Sequence, residues 1–505
     1  MPDSRAAVPV AAQRLLQSSR PPPRERLRGR PGRLLGSARR CPPPLRTKLP
    51  VFHRLLIANR GEVAARIART ARSLGISPVG VASSADLDGS WLGLMDEVVC
   101  LGPAAARESY LAADKLVQAA LQTRCTALHP GWGFLSENPR FAALVEQHGI
   151  TFVGPSPRAI ASMGKKSPAK AAAKAAGLEV VPGSDGALRD VAHARDLARA
   201  AGYPVLLKAD AGGGGRGMRR CDSEAELERA YLSAQNEAES AFGSGLLYLE
   251  KYLQAGRHIE VQLMGDGFGD ALHLFERECS IQRRHQKLIE ETPSPVLDDG
   301  ERRALGESAA AAARRMGYRN AGTIEFLRDA QSGKLYFMEM NTRLQVEHPI
   351  SEALLGLDIV KLQLEVAANR RLPLRQTELV PRGHAIECRI NAEDPSQDFR
   401  PSPGRLEQFE FKSDVPGCSV RIDTHLVAGD SVSPHYDSLL AKVIVHAPDR
   451  AAAIAGMRAC LSGARVTGVH TTIPLHLAVL ASPEFQSGRY DTGSLPGWNP
   501  AGKRG

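Results

Sequence analysis

No stretch of this sequence approaches the ~18 consecutive apolar residues that a membrane-spanning helix needs, although 43% of its residues are hydrophobic. No membrane-embedded segment is therefore expected. The eight cysteines (Cys41, Cys100, Cys125, Cys221, Cys279, Cys388, Cys418 and Cys460) are scattered and never form a Cys-x-x-Cys pair. Such spacing gives neither a disulfide framework nor a zinc site. It suits a reducing compartment, so a cytoplasmic location is expected. Internal repeats are missing as well. Acidic residues are scarce in the first fifty positions, where eleven Arg and one Lys face only Asp3 and Glu25. The chain's net charge of +10 thus belongs to that segment, and the remainder is balanced. The high pI is no sign of a nucleic-acid-binding body.

Residues 1–50 also carry Pro21-Pro22-Pro23 and Pro42-Pro43-Pro44 and few large apolar residues. A disordered tail, dispensable for catalysis, is expected there. It lacks the apolar centre of a secretory signal. An Arg-rich, acid-poor start leaves an organelle transit peptide as the alternative.

Beyond the tail, Phe52–Ala58 reads as a strand, Asn59-Arg60-Gly61 as a turn, Glu62–Leu74 as a helix and Pro78–Ala82 as a strand. Strand, turn, helix and strand within ~30 residues make a βαβ unit, so a parallel sheet is expected over 51–165. From about residue 204 apolar strands come in succession: 204–208, 246–250, 258–264, 270–275, 322–327 and 335–340. Turn signals at Gly265-Asp266-Gly267 and Ser332-Gly333 imply antiparallel hairpins with helices on one face. A third region, from His384 through short Pro/Gly-punctuated strands to a helix at 450–461, is expected to be mainly antiparallel β. The class is thus α/β and α+β, in several domains.

The segment Lys208–Met218 holds five glycines in six residues, directly after a strand. It is no Walker loop, because no Gly-Lys-Ser/Thr follows. Two readings remain: a flexible turn, or a phosphate cradle in which backbone N–H groups converge on an anion with no Cβ in the way. Lys166 and Lys208 are compact cations suited to phosphate oxygens. Gly214 and Gly215 would form the cradle, and Glu250-Lys251-Tyr252-Leu253 ends a strand where backbone amides could read an adenine edge. Glu325 and Glu339 sit on two hairpin-linked strands, each embedded in apolar sequence. Strand spacing of ~4.8 Å brings their carboxylates together, a costly pairing unless a cation lies between. Asn341 is a third oxygen donor on the same face, and hard oxygen ligands near phosphate point to Mg²⁺. Beyond it Arg343, Gln345 and Glu347 alternate with Leu344 and Val346. One face therefore offers a cation, an amide and a carboxylate, able to bind a small planar anion and take a proton from it. The cluster Gln282-Arg283-Arg284-His285-Gln286-Lys287 is either part of this site or an exposed basic patch.

The chain resembles the biotin carboxylases of the ATP-grasp superfamily over residues 52–493. The motifs are Arg-Leu-Leu-Ile-Ala-Asn-Arg-Gly-Glu (54–62), His-Pro-Gly-Trp-Gly-Phe-Leu-Ser-Glu-Asn (129–138) and the glycine loop. They continue through Glu-Cys-Ser-Ile-Gln-Arg-Arg-His-Gln-Lys (278–287), Glu-Met-Asn-Thr-Arg-Leu-Gln-Val-Glu-His-Pro (339–349), Glu-Cys-Arg-Ile-Asn-Ala-Glu-Asp (387–394) and Tyr-Asp-Ser-Leu-Leu-Ala-Lys (436–442). The resemblance implies an N-terminal domain at 51–165, an ATP-grasp domain at 166–370 with a mobile lid at about 181–253, and a C-terminal domain at 384–493. It implies that Lys166, Lys208, Gly214, Gly215, Glu250, Lys251, Tyr252, Leu253, His258, Gln282 and His285 hold ATP, together with Glu325 and Glu339. Two Mg²⁺ or Mn²⁺ ions would sit on Glu325, Glu339 and Asn341. Lys287, Arg343, Gln345, Val346 and Arg389 would seat bicarbonate, Glu347 would be its base, and Arg389 would face biotin.

The implied reaction is ATP-dependent carboxylation of biotin through carboxyphosphate. The implied partners are a homodimer mate, a biotin carboxyl carrier protein and carboxyltransferase subunits. None of the fourteen lysines adjoins a methionine, so biotin is expected in trans, on that separate carrier. The complex read first is acetyl-CoA carboxylase, serving fatty acid synthesis; the alternative is a propionyl-CoA, methylcrotonyl-CoA or pyruvate carboxylase. An inactive nucleotide-binding scaffold is the remote third reading. The sequence departs from the family's pattern at Trp132, where Tyr is frequent, and at Lys165, where Asp is common. The second departure leaves open which of Lys165 and Lys166 meets phosphate.

Overall fold

The computed structural model describes residues 52–210, 218–253 and 256–499. The sequence expectations for residues 1–50, and for Gly214 and Gly215, lie outside these.

Five parallel strands open the fold: β1 (Arg54–Ile57), β2 (Ser77–Ser83), β3 (Glu97–Gly102), β4 (Ala127–His129) and β5 (Thr151–Phe152), in the order β3-β2-β1-β4-β5. Leu55, Leu56 and Ile57 are buried on both faces, as a covered parallel sheet requires. Helix α1 (Gly61–Ser73) follows β1 directly, in the expected βαβ order.

Three strands lie in the segment expected as the lid: β6 (Val205–Ala209), β7 (Met218–Cys221) and β8 (Leu247–Lys251), all antiparallel in the order β7-β6-β8. Two helices cover them, Val191–Ala201 capped by Asp190 and Glu224–Phe242 capped by Ser223. The glycine loop therefore joins two antiparallel strands, as the sequence suggests. Gly183 bridges to Glu250 where the chain enters the lid. A Cβ there would lie 2.1 Å from the Leu249 carbonyl oxygen, so only glycine allows the approach.

The centre of the molecule is an eight-stranded sheet. It contains β9 (Arg257–Asp266), β10 (Ala271–Arg283), β11 (Gln286–Thr292), β12 (Arg319–Arg328), β13 (Leu335–Asn341) and β14 (His384–Asn391). The order is β13-β12-β9-β10-β11-β14, continued by the strands Leu439–Ala447 and Ser419–Thr424. The sheet thus runs through the boundary expected near 370–384, since β14 pairs antiparallel with β11. Two features depart from the sequence expectations. β10 extends to Arg283 instead of ending at Phe275, and β11 is a strand the apolar pattern did not announce. Both carry charged residues that are buried here: Glu276, Arg277, Glu278, Glu290 and Glu291. Apolar periodicity reports burial by transfer from water, and it is blind to charges buried in pairs.

Candidate active site

The site is a row of charges written across the central sheet. Arg277 on β10 lies opposite Glu260 on β9; Glu260 lies opposite Glu325 on β12; Glu325 lies opposite Glu339 on β13. Their apolar neighbours Ile259, Val261, Ile324 and Phe326 are buried on the other face, and this alternation turns all four charges to one side. Directly opposed like charges are destabilising, so cations must enter the row.

Arg277 is fully buried and donates to Glu260 at 2.6 Å, Gln262 at 2.7 Å, Ser351 at 3.0 Å and Thr323 at 3.2 Å. The Lys287 ammonium joins Glu260 at 2.5 Å, Glu325 at 2.9 Å and Glu347 at 2.6 Å. Burial alone would lower Lys287, but the three carboxylates outweigh it and raise it well above the usual lysine range. Lys287 reaches this point from a hairpin whose turn residues Arg284 and His285 both have positive φ, 48° and 66°. That conformation closes a two-residue loop, here without glycine, at a cost of ~1–3 kcal/mol per residue. The basic cluster is thereby divided. Lys287 is buried in the site, whereas Arg283 and Arg284 turn to Asp398.

Glu347 precedes the helix His348–Leu355 and is fully buried. Burial would raise its carboxyl group, but Lys287, Arg389 and Arg277 prevail and hold it well below the usual range. It is therefore ionised and able to accept a proton. Arg389, on β14, donates to Glu347 at 2.9 Å and to Glu290 at 2.6 Å. Arg343 donates to Gln345 at 2.9 Å, Asn341 at 2.8 Å and Glu137 at 2.8 Å. The Val346 carbonyl accepts from Lys442 at 3.0 Å. Lys287, Glu347 and Arg389 thus form one hydrogen-bonded chain, which Gln345 joins through Glu325 at 3.3 Å and Arg343 through Gln345, from three separate stretches of sequence; Val346 meets Lys442 instead.

Glu325 and Glu339 are positioned for an oxygen-preferring cation. Glu339 is exposed, yet desolvation of its carboxyl group, and then the Glu325 charge, raise it. A divalent ion would relieve that repulsion, and the all-oxygen donor set of Glu325, Glu339 and the Asn341 carbonyl suits Mg²⁺ or Mn²⁺. His258 approaches Glu325 at 3.3 Å. Burial would lower the imidazole, yet Glu325 raises it.

On the lid side, Glu250 accepts from Lys208 at 2.5 Å and from Lys170 at 3.2 Å. Lys251 turns its ammonium onto the carbonyls of Gly202 and Tyr203. Contrary to the sequence expectation, the backbone N–H groups of Lys251 and Tyr252 are not free for a base edge, because they donate to the carbonyls of Pro182 at 2.8 Å and Pro204 at 3.0 Å. Arg220 stacks 4.6 Å above the Tyr252 ring. Leu253 and Gln282 are half-buried, and Gln282 lies opposite Lys287. His285 is lowered, by desolvation and then by Lys166, His258 and Lys208. Lys166 is lowered first by burial and then by Lys208, with Glu339 and Glu250 opposing. Lys165 is exposed. Lys166, by contrast, shares its surroundings with Glu339 and Glu250.

Sequence reasoning missed Glu260, Arg277, Glu290 and Lys442. The signal was available for Glu260, a carboxylate between Ile259 and Val261, the same setting that singled out Glu325.

Three families match successive parts of the chain: the biotin carboxylase N-terminal domain at 51–160, the carbamoyl-phosphate synthase L chain ATP binding domain at 165–375, and the biotin carboxylase C-terminal domain at 387–496. This chain belongs to the biotin carboxylase family. A biotin carboxylase of Nostoc sp. is 48% identical over 441 residues, covering 87% of this chain and 98% of that protein. Biotin carboxylase 1, chloroplastic, of Populus trichocarpa is 48% identical over 443 residues, 88% and 83% of the two chains. Among solved structures, the Campylobacter jejuni biotin carboxylase–βγ-ATP complex superposes with a TM-score of 0.84 at 47% identity, covering 88% and 98%. The biotin carboxylase domain dimer of Hydrogenobacter thermophilus 2-oxoglutarate carboxylase, solved with MgADP, ADP and bicarbonate, gives 0.82 at 46%, covering 87% and 96%.

Proposed function

We propose that this ATP-dependent ligase is the biotin carboxylase subunit of an acetyl-CoA carboxylase, carboxylating biotin on a separate carrier protein. The observation that carries the chemistry is the Lys287 ammonium, which ties the ionised Glu347 to Glu260 and Glu325. Bicarbonate seats on Lys287, Arg343, Gln345 and the Val346 backbone. Glu347 takes its proton, because an ionised carboxylate within hydrogen-bond reach is what a general base requires. The carbonate oxygen attacks the γ-phosphorus of ATP and the bond to the β-phosphate oxygen breaks, giving ADP and carboxyphosphate. Carboxyphosphate then releases CO₂ and phosphate; the phosphate takes the N1′ proton of biotin, and N1′ attacks CO₂. Arg389 faces the biotin enolate with a charge that no working pH removes. Lys166 and Lys208 hold phosphate oxygens, and the lid excludes water from a labile intermediate. Divalent ions held by Glu325, Glu339 and Asn341 would supply charge neutralisation at the phosphates.

The second reading keeps this chemistry in a different complex. It is favoured by the likeness to the biotin carboxylase domain of 2-oxoglutarate carboxylase and, at 46% identity, to the biotin carboxylase subunit of pyruvate carboxylase. A homodimer in the cytoplasm is proposed, with carboxyltransferase subunits as partners; the chloroplastic relative keeps an organelle as the alternative location. Purified protein should hydrolyse ATP only with bicarbonate and Mg²⁺, and should carboxylate biotin. Carboxylation of the carrier, followed by transfer to acetyl-CoA in the presence of the carboxyltransferase, separates the two readings. Turnover independent of bicarbonate would overturn both.

A further inference from the structure

The site holds more acid than the proposed chemistry uses. On the face of the sheet that carries Arg389, Glu290 on β11 lies directly opposite Glu387 on β14, and Glu387 is two residues from Arg389. Both glutamates are 0% exposed. Glu290 spends one oxygen on Arg389, accepting from Nε at 2.6 Å and lying 2.5 Å from the terminal nitrogen. Its other oxygen, and both oxygens of Glu387, have no hydrogen-bond partner among the described residues. Side chains of directly opposed residues meet at Cβ separations of ~4.5–5.5 Å. Two ionised carboxylates opposed at that distance in a fully buried position are not a stable arrangement. The neighbouring cation, Lys442, is already 3.0 Å from Glu62 and bonded to the Val346 carbonyl.

Resting on the reading above, we propose that Glu290 is a positioning residue for Arg389, and that a neutral Glu387 opposite it is what allows Glu290 to keep its charge. Arg389 has two anionic anchors in the resting site, Glu347 at 2.9 Å and Glu290. When Glu347 accepts the bicarbonate proton, its attraction for the guanidinium falls away. Glu290 is then the anion that holds Arg389 against biotin. From the other side the Arg389 carbonyl accepts from Thr472 at 3.0 Å and contacts the His476 ring at 2.7 Å, so the backbone is pinned and the side chain alone needs an anchor. Burial, and then the charge of Glu290 among others, raise Glu387 well above the carboxylate range despite Lys442. A single proton on Glu387, donated to the free oxygen of Glu290, would satisfy two of the three orphaned oxygens.

The test separates ATP cleavage from carboxyl transfer in the full-length protein, with wild type assayed alongside. Glu290→Gln keeps the shape and removes the charge. Free-biotin carboxylation should fall about 30-fold or more, while the KM for ATP and bicarbonate-dependent ATP cleavage stay within about threefold; ATP consumed per biotin carboxylated then rises. Glu290→Asp should recover part of the carboxylation. Glu387→Gln, an isostere of the neutral acid, should melt no lower than wild type. Carboxylation near the wild-type level in Glu290→Gln, or parallel loss of both activities, would overturn the assignment. Should Glu290→Gln fail to fold, the same comparison in Glu290→Asp decides: parallel loss sinks the idea, and selective loss of carboxylation supports it. A wild type that carboxylates no biotin would instead defeat the functional reading itself.

Discussion

Glu290 and Glu291 are neighbours in sequence, equally buried, and they serve two different charged clusters on opposite faces of one strand. Glu291 accepts from His384 at 2.8 Å, from Arg450 at 2.6 Å and 2.9 Å, and from the Tyr490 hydroxyl. Burial raises its carboxyl group, but these donors prevail and hold it at about 2. Next to it Arg257 stacks 3.8 Å from the Tyr490 ring and donates to the carbonyls of Gly488 and Tyr490. Donors there outnumber acids, and the cluster locks the C-terminal segment to the sheet. The Glu290 side is the reverse. Glu260, Glu325, Glu347, Glu290 and Glu387 share Lys287, Arg277 and Arg389. Burial, and then the Glu347 charge, push Glu290 up to about 7 despite Arg389. A satisfied cluster holds structure together. An acid-rich cluster facing a cleft holds protons and cations, and so can do chemistry.

The largest way to break this contrast is Glu347→Gln. Loss of the base should cut carboxylation by about 10²–10⁴-fold with nucleotide affinity retained; single-turnover kinetics and a nucleotide titration measure the two separately. On the other face, Arg450→Ala leaves Glu291 buried with its two-point donor gone. It should cost about 3–5 kcal/mol of stability, read by denaturant unfolding, while turnover per folded molecule stays within about twofold.

The two faces should also respond to pH with opposite sign. Glu291 is depressed in the fold, so its contribution is complete above the unfolded carboxylate value of ~4.3 and is lost as pH falls towards about 2. That amounts to about 3 kcal/mol, to be seen as an acid-unfolding slope that flattens in Glu291→Gln. Glu290 is raised, so the folded state binds more protons there than the unfolded chain. Stability on its account falls as pH rises from ~4 to about 7, and Glu290→Gln should remove that decline. The smallest effect sharpens the lid side of the site. Lys165→Ala, an exposed substitution, should leave the KM for ATP within about twofold, whereas Lys166→Ala should raise it about tenfold or more; equal effects would contradict the placement of Lys166.

Much of this was legible in the residues alone. The βαβ opening, the hairpins at Gly265–Gly267 and Ser332-Gly333, and the strand–glycine–strand order at 204–221 followed from turn chemistry and apolar period. Glu325 and Glu339 stood out because a carboxylate between apolar neighbours is costly, and the family motifs supplied Lys287, Arg343, Glu347 and Arg389. Tertiary structure decided what periodicity cannot carry. β11 and the second half of β10 hold as strands because their charges find partners on other strands, and pairing energy depends on neighbours that lie far away in sequence. The same holds for Glu290 and Glu291. Alternation along a strand puts two adjacent glutamates on opposite faces, but only the sheet order, with β14 on one side and Arg450 with Tyr490 on the other, sets one against Arg389 and the other against Arg450 and Tyr490.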